Sequence, residues 1–219
     1  MGTQYQLKML SLNYHGLLIH PVLLMDENVT ILIDTGFPGQ FEELLEAMSQ
    51  AGSPVQKLDV VLLTHQDLDH IGNLPDILKF KRDSLKVYAH RLEKPYIQAE
   101  LPLLKDPDHA PLKGRVDHEL VDGQVLPFFD GITVIHTPGH TPGHVSFYLN
   151  REKILVAGDS MYSENGTLGG VHAPTTHDVE TAKCSLRKYL DFDVQTVICY
   201  HGGIVQENVN DQIRKLCVL

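Results

Sequence analysis

The chain has 219 residues, 42% hydrophobic and 21% charged, a globular composition that excludes a disordered or collagen-like polymer. Eighteen basic residues against 28 acidic ones leave a formal net charge of −10, without the basic excess that non-specific nucleic-acid binding needs. The unusual feature is a set of 13 histidines.

In chain order, β-rich runs over 5–9, 16–25 and 29–33 come first, and the last of them runs into Asp34-Thr35-Gly36. Phe41, Leu44, Leu45 and Met48 then recur at i, i+3, i+4 and i+7, which predicts an amphipathic helix over about 38–51. Residues 60–63 read as a buried strand that enters Thr64-His65-Gln66-Asp67-Leu68-Asp69-His70. Leu74, Ile77 and Leu78 suggest a helix, and 86–89 another strand. Residues 100–116, with Pro102, Pro107, Pro111 and Gly114, form the least regular stretch; a loop of that length suits a lid on the substrate side. Strands are expected at 132–136, 145–149 and 153–157, a helix capped by Asp178 and reaching Leu190, a strand at 196–199 and a helix over 206–216. No repeat or linker divides the chain, so one domain spanning 1–219 is expected, of α/β class with strands in two batches, each followed by helices.

No secretory pattern is visible over residues 1–10, and the apolar runs fall far short of the ~20 residues that span a bilayer. Cys184, Cys199 and Cys217 share no metal-type spacing, so a reduced, cytoplasmic compartment is the simplest expectation. The expected partner is a small-molecule substrate rather than nucleic acid or membrane; a homodimer is one assembly the chain allows.

His65, Asp67, Asp69 and His70 fall within six residues, directly after an apolar strand. Four such groups are costly to bury together unless a cation compensates them. The plain alternative is a solvated acidic turn in which Asp69 caps a helix starting near His70. Further donors also sit where strands stop. His140 and His144 lie in a loop fixed by prolines and glycines, Asp159 follows Gly158, and His201 precedes Gly202-Gly203. Repetition of that placement favours a metal centre over coincidence.

These residues resemble the metallo-β-lactamase superfamily, whose signature is Thr-His-x-His-x-Asp-His after an apolar strand. A Thr-Pro-Gly-His loop, an Asp after a Gly and a final His complete it. Thr64, His65, Asp69, His70, His140, Asp159 and His201 match, over nearly the whole chain. The resemblance implies a four-layer αββα sandwich with two divalent metal ions, most simply zinc. It places His65, residue 67, His140 and Asp159 on the first ion. Asp69, His70, Asp159 and His201 fall on the second, with Asp159 bridging. It further implies a hydrolase in which water activated on the metals attacks an ester-type bond, with Asp69 orienting the nucleophile.

Position 67 departs from the pattern, with Asp where most members have His. Against the four positive charges of two divalent ions, Asp69 and Asp159 leave an excess of two, and Asp67 cuts it to one. A harder ligand set of this kind tolerates manganese or iron better than an imidazole-rich one. Asp is also short, so Asp67 is expected to reach its metal through a backbone shift or a water, and the first site is expected to be weak.

His144 is expected to hydrogen-bond around the site rather than ligate. Asp34 corresponds to a family position that supports the metal loop, against the simpler role of a turn Asp before Gly. Tyr162, three residues after Asp159, matches a lactonase tyrosine that points at the substrate carbonyl; packing is its plain alternative. His172 and His177 read as loop residues, His15, His20, His90, His109 and His118 as structural or surface residues, and Cys199 as a small buried apolar one.

A lactone or carboxylic ester is the expected substrate, on the strength of Tyr162. Thioester and phosphodiester hydrolysis on the same site are the rivals. Hydroxyacylglutathione hydrolase is disfavoured because only 18 residues follow His201. From a different class comes a metal-containing binding or regulatory protein without turnover.

Overall fold

In the computed structural model, which describes residues 5–218, the chain divides after Leu120 into two units, each built on a six-stranded sheet. Residues 1–4, part of the stretch without a secretory pattern, and residue 219 lie outside the described residues. Among the described residues no helix is long and apolar enough to cross a membrane.

The first unit opens with β1 (Gln6–Met9), β2 (Leu12–Tyr14), β3 (Leu17–Ile19), β4 (Val22–Met25) and β5 (Thr30–Ile33). There follow α1 (Phe41–Gln50), β6 (Val60–Leu62), α2 (Leu68–Ile71), α3 (Leu74–Lys81), β7 (Lys86–His90), α4 (Lys94–Ile97) and β8 (His118–Leu120). The sheet order is β1-β4-β5-β6-β7-β8, antiparallel from β1 to β5 and parallel from β5 to β8. Every residue of β4, β5 and β6 is buried, which explains why these strands read as unbroken apolar runs instead of alternating. Helix α1 buries Leu44 and Met48 at i, i+4 and keeps Glu42 and Glu43 in its first turn.

The strand expected over 16–25 is two strands. Residues Leu17–Ile19 fold back on β2, and only Val22–Met25 joins the sheet. Pro21 between them has no N–H to extend a ladder, and its carbonyl accepts the Leu10 N–H at 2.8 Å.

The second unit contains β9 (Val125–Leu126), β10 (Ile132–His136), β11 (Val145–Leu149), β12 (Ile154–Gly158), β13 (Tyr162–Glu164) and β14 (Thr167–Gly169). It ends with α5 (Val179–Leu186), β15 (Thr196–Cys199), β16 (Gly203–Val205) and α6 (Val209–Leu216). The sheet order is β16-β15-β12-β11-β10-β9; β12 and β15 are parallel and every other pair is antiparallel. Ile135, Leu155, Val197, Leu186, Tyr189 and Ile213 pack in one buried cluster that joins this sheet to its helices. Asp178 caps α5 as expected, accepting the Thr181 N–H at 3.0 Å, and a 3₁₀ turn over Arg187–Asp191 completes the helical stretch.

Strand direction decides where the donors go. Parallel β5, β6 and β7 all leave the first sheet at one edge, so Asp34, the 64–70 motif and Glu93 gather there. In the second unit β10, β12 and β15 run the same way, because β11 is antiparallel to both β10 and β12. Their exits carry His140, Asp159 and His201.

Candidate metal centre

In the first unit the chain stays fully buried from Leu63 to Gln66. Asp34, at φ +61 in the turn after β5, is the hub beneath it. Its Oδ1 accepts the Thr64 N–H at 2.9 Å; its Oδ2 accepts the Thr64 hydroxyl at 2.7 Å and the His70 Nδ1–H at 2.8 Å. Having donated to Asp34, Thr64 Oγ1 accepts from His65 Nδ1, 3.0 Å away. Both imidazoles thus carry a proton on Nδ1, which makes Nε2 the nitrogen that can ligate. Asp34 is therefore a support of the motif, not a plain turn residue.

His65 Nε2 lies 3.2 Å from Asp67 Oδ2, and His70 Nε2 lies 3.5 Å from Asp69 Oδ2. A nitrogen and a carboxylate oxygen at that range share a cation, either a proton on Nε2 or a metal ion. Imidazole nitrogen plus carboxylate oxygen is the donor chemistry of zinc and its divalent neighbours, so the set fits such an ion. The capping role that is the plain alternative for Asp69 is not found. Helix α2 starts at Leu68, with Asp67 at its N-cap position and no side-chain cap bond, and Asp69 sits inside its first turn.

In the second unit a single oxygen organises the donors. Asp159 Oδ2 lies 3.4 Å from His140 Nε2 and 3.3 Å from His201 Nε2. The register of β12 against β15 shifts between Val156 and Gly158, and Gly158 turns to φ +56; this bulge re-aims the chain just before Asp159. The Asp159 N–H then donates to His144 Nε2 at 3.0 Å, so His144 is protonated on Nδ1, which donates to Thr137 Oγ1 at 2.8 Å. Both nitrogens of His144 are engaged, in agreement with its expected supporting role. Ser146 Oγ lies 3.4 Å from Thr137 Oγ1 and 2.7 Å from the Tyr189 hydroxyl, which also meets Ser160 Oγ at 2.6 Å. Burial pushes the Tyr189 hydroxyl up to about 12, against the opposing pull of its serine hydrogen bonds.

The profile of the metallo-β-lactamase superfamily matches residues 15–201. The chain belongs to that superfamily. It is 30% identical over 200 residues to a probable metallo-hydrolase, YflN, of Bacillus subtilis, covering 78% of this chain and 75% of the relative. It is 32% identical over 175 residues to the hydroxyacylglutathione hydrolase of Francisella philomiragia, covering 78% of this chain. The match spans 57% of that enzyme and 62% of a second B. subtilis relative, YobT. Among solved structures, the metallo-β-lactamase family protein TTHA1429 of Thermus thermophilus superposes with a TM-score of 0.74 at 21% identity, covering 97% of this chain and 78% of its own. The α/β fold of the metallo-β-lactamase type is thereby established.

Within this metallo-β-lactamase motif, position 67 has a partner that sequence reasoning missed. Lys105 Nζ lies 2.5 Å from Asp67 Oδ2. The neighbouring Gln66 Oε1 accepts the Leu104 N–H at 2.8 Å, and the Gln66 N–H donates to buried Glu93 Oε2 at 2.9 Å. The irregular 100–116 stretch is therefore tied to the motif by two consecutive residues. The ammonium of Lys105 also returns the charge that Asp67 was expected to subtract. No periodicity or motif marks Lys105, 38 residues further along the chain.

Tyr162 opens the β13–β14 hairpin, with its ring over Gly169, where an added Cβ would stand 2.2 Å from Tyr162 Cζ. The His172 ring meets it edge-on at 6.0 Å, and His172 Nδ1 pairs with Thr175 Oγ1 at 3.0 Å. His118 stacks on Tyr88, and His20 Nδ1 meets the Leu10 carbonyl at 3.0 Å, both structural roles. Cys199 is fully buried, and burial pushes its thiol up, as suits an inert packing residue.

Proposed function

We propose that this superfamily member is a dinuclear metal hydrolase in which the two units serve one domain, acting on an ester-type bond of a small molecule, a lactone or carboxylic ester. By the superfamily's pattern, His65, Asp67, His140 and Asp159 would hold one ion, and Asp69, His70, Asp159 and His201 the other. The observation that supports it most directly is the Asp159 carboxylate oxygen shared at 3.3 and 3.4 Å between two imidazole nitrogens, the placement of a bridging ligand. Zinc is the simplest occupant, with manganese or iron admitted by the added carboxylate of Asp67.

Divalent ions in such a site supply an acidified water and polarise the scissile carbonyl. The chain's own residues do the rest. Asp69 accepts a hydrogen bond from the attacking water and orients it. The Tyr162 phenol donates to the oxygen on which charge develops, or to the leaving oxygen. Thr64 and Asp34 hold His65 and His70 in the tautomers that ligation needs, and His144 holds the Asp159 backbone.

Similarity to a hydroxyacylglutathione hydrolase supports a second reading, thioester hydrolysis on the same residues. A panel of lactones, carboxylic esters, thioesters, phosphodiesters and a cephalosporin separates the two. Preferred turnover of lactones or esters, with kcat lowered ~10- to 1,000-fold by Tyr162→Phe at constant metal content, is the expected result. Preference for a thioester selects the second reading. Two bound ions without turnover of any substrate would make the chain a metal-containing binding protein.

A further inference from the structure

We infer that Lys105 is a built-in competitor for the metal position at Asp67, so that the chain fills its two metal positions in widely separated steps. This rests on the dinuclear reading above. Two consecutive motif residues grip the same loop: Gln66 holds the Leu104 N–H at 2.8 Å, and Asp67 holds the Lys105 ammonium at 2.5 Å. Gln66 is fully buried, and Glu93 fixes its backbone from beyond β7. The lysine therefore starts from an anchored backbone, and less side-chain freedom is lost in forming the pair than at a mobile surface.

Burial distinguishes this pair from an exposed lysine ion pair such as Lys153–Asp193. The side chains of Asp67 and Lys105 are 12% and 21% exposed, against 56% and 43% for Asp193 and Lys153. Water and salt screen the first pair far less. The same Asp67 Oδ2 also stands 3.2 Å from His65 Nε2, the nitrogen that the Thr64 contact leaves for ligation. One oxygen thus has two claims on it. A divalent ion between His65 and Asp67 would bring two positive charges up to the ammonium, and like-charge repulsion makes the two occupants alternatives. Filling this position would exchange the Lys105–Asp67 hydrogen bond for metal–ligand bonds from His65 and Asp67, and requires Lys105 to swing away.

The test is a zinc titration of chelator-stripped protein in competition with a chromophoric chelator, on the unaltered chain, Lys105→Met and Lys105→Arg. The unaltered chain should bind in two steps, the second at least tenfold weaker. Lys105→Met should tighten the weaker step tenfold or more and leave the tighter one within twofold, while Lys105→Arg keeps the separation. In the unaltered chain, acetylation of Lys105 followed by mass spectrometry should accelerate between one and two equivalents of zinc. Equal weak-step constants in the unaltered chain and a folded Lys105→Met overturn the inference and leave the dinuclear reading intact. Should Lys105→Met not fold, an unchanged acetylation rate overturns it instead. No zinc uptake by the unaltered chain overturns both.

Discussion

The Asp159 backbone N–H and His144 Nε2 meet at 3.0 Å, in a bond that uses the nitrogen a metal would need. His144→Ala should therefore keep most of its metal, losing about 1–3 kcal/mol of stability as the part-buried Asp159 N–H loses its acceptor. His140→Ala should cut metal content and activity at least tenfold. Metal analysis and thermal melts on both variants check the order; the reverse order would exchange the roles of the two histidines.

Asp34 accepts from Thr64 twice and from His70 once. Removal in Asp34→Ala takes the acceptor from the buried Thr64 N–H and hydroxyl, at about 1–3 kcal/mol each. It leaves His70 Nδ1 with the longer contact to Thr64 Oγ1 at 3.2 Å, which loosens the His70 tautomer. Metal affinity should fall about 10- to 100-fold even under conditions where the variant folds. Asp34→Asn retains an acceptor for the Thr64 N–H, so it should recover stability more than affinity. Urea midpoints set against chelator competition distinguish the two effects.

Tyr189 gives a pH signature. Its hydroxyl is ordinary in the unfolded chain and pushed up to about 12 in the folded one, so the folded state holds the proton longer. The stabilisation is fully present below pH 10 and is lost as pH rises from 10 to about 12, for about 2–3 kcal/mol in all. Denaturant melts of the unaltered chain should weaken through that window more steeply than those of Tyr189→Phe. Parallel curves would show that the hydroxyl is not held as the structure places it.

Gly169→Ala probes Tyr162 without touching its chemistry. The new Cβ would stand 2.2 Å from Tyr162 Cζ, so the ring must move. If the phenol acts on substrate, kcat should fall towards the Tyr162→Phe value while metal content is unchanged. A kcat equal to that of the unaltered chain would make Tyr162 a packing residue.

Much of this architecture was legible in the sequence, for physical reasons. Strands β5, β6, β10 and β11 are buried along nearly their whole length, so their apolar runs stand out. Ligand types clustered at strand exits because parallel strands deliver their ends to one edge. Two short hairpins were missed although each carries a turn signal: Asn165-Gly166 and His15-Gly16 all sit at positive φ, as a two-residue hairpin turn demands. Lys105 lay beyond reach. Its role depends on the Gln66–Leu104 hydrogen bond, a contact between a side chain and a distant backbone that leaves no periodic trace.

The His140 loop is strapped to the start of α5: His177 N–H donates to the His140 carbonyl at 3.3 Å, and Asp178 N–H to the Gly139 carbonyl at 2.8 Å. A ligand and a helix terminus therefore share one opening equilibrium. Amide exchange at His177 and Asp178 should slow together when metal binds, and it should report occupancy from a segment that supplies no ligand of its own. Fraying of α5 would in turn loosen His140, so the lifetime of the bound ion is written partly in how often that helix unwinds.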